Sequence, residues 1–92
     1  MFAHVVTAKA QSEDFANLAG FIREQLPDIP QQPGFRGFYL LRDSGLDKLM
    51  TISLWESEDD VRASIARAAS QASDLAGLTE VRGDTYEIVA SA

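Results

Sequence analysis

The chain has 92 residues, no cysteine, one histidine and a formal net charge of −6. That length bounds it to one domain, residues 1–92, which buries only about 60–65% of its unfolded surface, so a second apolar face favours self-association. The acidity argues against nucleic acid or an anionic membrane as partner, since both need clustered Lys and Arg; the missing cysteines exclude disulfides and thiolate chemistry, and a lone histidine excludes a two-histidine metal site.

In chain order, "FAHVVTAK" from Phe2 alternates and carries paired valines, which suits a strand. It has no basic segment before it and is broken by His4, so it does not read as a signal peptide. No apolar run approaches the ~18 residues of a spanning helix. A cytoplasmic protein is expected. Ser12 is a capping residue for a helix in which Phe15, Leu18, Ile22 and Leu26 form one stripe, widened by Phe21. Pro27 ends it, because the residue before a proline avoids the helical region. A Pro-rich connection, "PDIPQQPG", leads to a second strand, Phe35 to Asp43. Gly45 turns the chain into a third strand, Lys48 to Glu56. Ser57 and Asp60 are spaced as a capping pair, and Glu58, Asp59 and Asp60 suit the positive end of a helix dipole. That explains the acidic cluster without chemistry. The helix runs through "DVRASIARAASQASDL" with a narrow face of Val61, Ile65, Ala68 and Ala72, and Gly77 closes it. "EVRGDTYEIVA", from Glu80, is the fourth strand.

The order β-α-β-β-α-β predicts an α+β fold of the ferredoxin-like type, a four-stranded antiparallel sheet with two helices on one face. Alternation divides each strand between two faces. Met50, Ile52 and Leu54 are the more aliphatic set of the third strand and are expected under the helices. Leu49, Thr51, Ser53 and Trp55 are expected on the other side. A four-residue hairpin, Ser44 to Asp47, puts Arg36, Phe38, Leu40 and Arg42 on the face of Trp55, and a one-residue slip exchanges the sets. Either way, an apolar face is left uncovered. A homodimer that closes two sheets into a shared barrel is the economical solution.

"PGFRGFYLLRDSGLDKLMTISLWESEDDVRAS", Pro33 to Ser64, resembles the central segment of the antibiotic biosynthesis monooxygenase family: a P-G-F start, a hairpin, then a strand ending in tryptophan, an acidic residue and a helix start. The resemblance implies a dimeric α+β barrel. It also implies oxygenation of a small aromatic, polyketide- or quinol-like substrate with no cofactor, the deprotonated substrate itself activating oxygen. The same family contains haem-degrading enzymes, which use an asparagine on the first strand and a histidine on the second helix. This sequence has neither at those places.

Trp55 is then a candidate aromatic wall of a cavity, or else a packing anchor. His4, the only side chain that titrates near neutrality, is a candidate proton acceptor, or else a strand histidine at a surface or dimer contact. Arg36 is a candidate partner for an anionic oxygen, or else half of a surface ion pair. Tyr39, Tyr86 and Phe38 are candidate substrate contacts, the tyrosines alternatively amphipathic packing groups. The rival reading of the whole is a non-catalytic module that binds a small ligand or only dimerises.

Overall fold

The computed structural model describes residues 1–25, 27–43, 47–69 and 79–92. The elements are β1 (Phe2–Lys9), α1 (Ser12–Gln25), a short 3-10 turn (Ile29–Gln31), β2 (Phe35–Asp43), β3 (Lys48–Trp55), α2 (Glu58–Ala69) and β4 (Thr79–Glu87). The strands form one antiparallel sheet in the order β2-β3-β1-β4. This is the expected ferredoxin-like arrangement. Strand β4 ends sooner than the sequence suggests, at Glu87, and the Ile88 N–H then donates to the Met1 carbonyl at 2.8 Å. Leu26, Gly45, Ala72 and Gly77 lie outside the described residues, as do the side chains of Ser12, Phe21 and Ala68.

The start of α2 is capped as its sequence requires. The Ser57 hydroxyl accepts the Asp60 N–H at 3.2 Å and donates to the Asp60 carboxylate at 2.8 Å. Arg62 reaches back to Glu58 and Asp59 at 3.1 and 2.9 Å. The acidic run is thus occupied in starting a helix. Val61 is buried from that helix, whereas Ile65, expected beside it, is exposed. On α1, Leu18 is buried against Ala8, Ala10 and Leu49, with Phe15, Ile22 and Leu40 packed around them. Each such large apolar side chain taken fully from water contributes about 1.5–3 kcal/mol.

Pairing of Asp43 with Lys48 leaves the four-residue connection 44–47 and puts Phe38, Leu40 and Arg42 on the face of Trp55. The side of the sheet that the helices take is the reverse of the expectation. Trp55 pairs with Phe2, Ser53 with His4 and Leu49 with Ala8, and this set lies beneath α1 and α2. Trp55 is 2% exposed. Met50, Ile52 and Leu54, together with Thr7, Val5 and Ala3, form the face that no helix covers. Average polarity misassigned the faces for a local reason. Ser53 is buried because its hydroxyl donates to the His4 carbonyl at 3.4 Å, which reduces the penalty of taking it from water.

Candidate functional site

The site is built on the helix-covered face around His4. Across the sheet, Phe38, Ser53, His4 and Thr85 make one row, and Phe35, Trp55, Phe2 and Glu87 the next. Alternation aims alternate residues of each strand at the same side, so β1 contributes His4 and β3 contributes Ser53 and Trp55 to one surface. The Phe35 and Trp55 rings meet edge to face, centroids 5.7 Å apart at 83°. That contact fixes the indole at one end of the row. Ala8, Leu49 and Leu18 close the other end, while His4, Val6, Phe38 and Thr51 between them are only half-buried.

Two buried polar atoms here have no hydrogen-bond partner among the described residues: Nδ1 of His4 and Nε1 of Trp55. A buried donor or acceptor left unmatched costs about 1–3 kcal/mol. Strand β4 leaves room for the imidazole by having no side chain at Gly83. A Cβ there would lie 3.3 Å from Cε1 and 3.7 Å from Nε2 of His4. Burial pulls the His4 pKa below its ordinary value, and the backbone and carboxylate of Asp84 act more weakly in the opposite direction. The ring is therefore held in its neutral form, the form that accepts a proton.

Of the residues singled out from sequence, His4, Trp55 and Phe38 are brought together. Tyr39 and Tyr86 are not: they sit on the opposite face, 58% and 55% exposed, level with Ile52 and Ala3. Arg36 lies at the bulge where the β2–β3 register shifts, in an ion pair with Glu56. With both side chains about half exposed, 54% and 51%, that pair adds little stability. Two residues went unrecognised in the sequence, Ser53 and Gly83. A glycine in mid-strand was the available signal for a close approach.

The sequence model of the antibiotic biosynthesis monooxygenase family matches residues 1–73. The chain belongs to that family. Comparison with curated proteins finds no match. Among solved structures, the family member is similar to a candidate antibiotic biosynthesis monooxygenase from Deinococcus radiodurans, with a TM-score of 0.80, 16% identity, and 100% and 96% of the two chains covered. It is also similar to the heme-degrader MhuD from Mycobacterium tuberculosis, solved with two hemes in its active site, at a TM-score of 0.77 and 18% identity over 100% and 99% of the chains. A third is SnoaB, a cofactor-independent oxygenase from Streptomyces nogalater solved as the mutant N63A, at a TM-score of 0.77 and 20% identity over 98% and 94%. At such identities the likeness speaks for the fold of the family member, and its chemistry rests on its own residues.

Proposed function

We propose that the chain is a cofactor-independent monooxygenase for a small aromatic substrate carrying an acidic hydroxyl or an activated CH2 group. The observation that carries this reading is the pair of unmatched buried atoms, the Trp55 N–H donor and the His4 Nδ1. Trp55 is the diagonal cross-strand neighbour of His4, a relationship that sets two residues about 7–8 Å apart with their Cβ atoms somewhat closer, the scale of one aromatic ring. A ring slotted there gives an oxygen to the Trp55 N–H and a proton to His4, with Phe35 and Phe38 as apolar walls.

The chemistry needs little from the protein. Neutral His4 takes the proton and leaves an electron-rich anion in a site poor in water. The anion passes an electron to dioxygen, the radicals combine to a hydroperoxide, and loss of water leaves a carbonyl. One oxygen atom ends in the product and the other in water, and the substrate supplies all four electrons. Arg36, Tyr39 and Tyr86 are given no part in this step.

Haem breakdown fits these residues less well. The described residues of α2 contain no histidine, and the chain's one histidine stands on β1. In its assembly the protein is proposed to be a homodimer across the helix-free face, where Tyr39, Leu41, Ile52 and Leu54 stand without a cover. The test is oxygen uptake with an anthrone or a hydroquinone. Wild type should accelerate uptake, and Trp55→Phe and His4→Gln should each lose at least about tenfold, as the removal of one transition-state hydrogen bond or proton acceptor predicts. Saturable binding of these compounds without faster uptake would move the reading to the ligand-binding module.

A further inference from the structure

Trp55 is the chain's only tryptophan. Its indole is 2% exposed, and its buried N–H has no partner among the described residues. An atom covered this well is reached by a ligand only after a covering group moves. The Phe35 ring is set against the indole, edge to face with centroids 5.7 Å apart, and is itself only half-buried.

The chain on either side of Phe35 is suited to releasing it. Phe35 is the first residue of β2, and its N–H donates to the Gln32 carbonyl at 3.2 Å, within the turn that precedes the strand. Gly34, one residue before, has a φ of 77°. One residue after, the β2–β3 register shifts, and no residue of β3 stands opposite Arg36. Bulges of this kind re-aim side chains and are common beside active sites. A strand end with such a break opens locally at less cost than the sheet as a whole. Both neighbours of Phe35 are tied to one residue, Glu56. Its N–H donates to the Gly34 carbonyl at 2.9 Å, and its carboxylate pairs with Arg36. Glu56 directly follows Trp55 in the chain.

We propose that Phe35 is a gate over Trp55, swinging on Gly34 and Arg36 and latched shut by Glu56. Opening uncovers the indole N–H for the acceptor oxygen of an aromatic ligand. Closing returns the Phe35 ring as an apolar wall and keeps water from the slot. The inference rests on the reading of the Trp55 N–H as a ligand contact, but the gate is measured without any substrate.

Acrylamide, a small neutral quencher, reads the opening through the fluorescence of Trp55 alone. Quenching of the full chain should be slow, and Phe35→Ala should speed it at least about fivefold, since a site that opened only transiently is then uncovered. Glu56→Gln keeps the backbone N–H and removes the ion pair. It should speed quenching about twofold, the scale that an exposed pair allows. Arg36→Gln should do the same, with no further gain in the double variant. Salt should speed quenching in wild type and not in Glu56→Gln, because it screens the exposed pair. Arg62→Gln, which cuts two exposed ion pairs at the start of α2, should quench like wild type. Melting curves check that each variant is folded, and the latch variants carry the test if Phe35→Ala does not fold. Unhindered quenching of wild type, wild-type quenching in folded Phe35→Ala or in both latch variants, an equal salt response in Glu56→Gln, or an equal rise in Arg62→Gln would each overturn the gate. None of these readings involves oxygen uptake, so the gate and the oxygenase reading fail separately.

Discussion

Gly83 lies against the imidazole of His4, close enough that a Cβ added to the glycine would stand 3.3 Å from Cε1. The spacing is tighter than ordinary van der Waals contact, so the ring must give way by a few tenths of an ångström. For Gly83→Ala, a strand residue also gains from losing glycine's backbone freedom, by about 0.5–1 kcal/mol. Urea denaturation should therefore find stability within about 1 kcal/mol of wild type, while oxygen uptake falls several-fold. Unchanged uptake would mean that the position of the ring does not matter to turnover.

The His4 pKa is depressed by burial, so the folded protein favours the neutral ring. The sign follows. Above the ordinary value near 6.5 the ring is neutral in both states and costs nothing. As pH falls below that value, the unfolded chain takes up the proton first and stability declines, until the folded pKa is also passed. Urea midpoints from pH 8 down to pH 5 should show this fall in wild type and a shallower one in His4→Gln. Turnover should rise with pH through the folded value, since the unprotonated ring is the acceptor. A turnover profile that falls as pH rises through this range would remove His4 from that role.

Gly34 has a φ of 77°, and a Cβ on it would overlap the Asp60 carboxylate. The same carboxylate holds Ser57 at the start of α2, and the Gly34 carbonyl accepts the Glu56 N–H at 2.9 Å. Gly34→Ala should cost about 1–2 kcal/mol for the left-handed backbone, with more for displacing the cap. Pairing it with Asp60→Ala should recover part of the loss. Denaturation of the two single variants and the double variant measures the coupling; additive losses would show that the two residues act separately.

Ile52 stands mid-sheet on the face that no helix covers, beside Tyr39 and Val5. Ile52→Lys places a charge at the proposed dimer contact. Light scattering at micromolar concentration should find wild type at twice the chain mass and the variant at the chain mass. A wild-type protein that already scatters as a single chain would refute the dimer.

The sequence carried the local decisions. Pro27 follows the end of α1, Ser57 and Asp60 cap α2, and the spacing of Phe15, Leu18 and Ile22 fixes the buried side of α1. These are legible because each depends on residues within a turn or two of one another. The candidate site was legible in part: His4, Phe38 and Trp55 were singled out and do share a face, while Tyr39 and Tyr86 were singled out beside them and do not. Alternation tells which residues of one strand travel together. It does not tell how one strand's sets align with those of its neighbours until the register is known, and the length of the 44–47 connection supplies that only for β2 and β3.

The side of the sheet taken by the helices was decided by the tertiary structure alone. Both faces of β3 are apolar enough to be buried, so composition ranks them poorly. Thr51 and Ser53 made one face look too polar to lie under the helices, yet Ser53 is satisfied by the His4 carbonyl and Trp55 closes one end of the core. Met50, Ile52 and Leu54 were left on the open side instead. The sequence determined the elements because their causes are short-range. The placement of His4 beside Trp55 under the helices depends on three strands meeting in one register, a long-range condition that no single stretch of chain records.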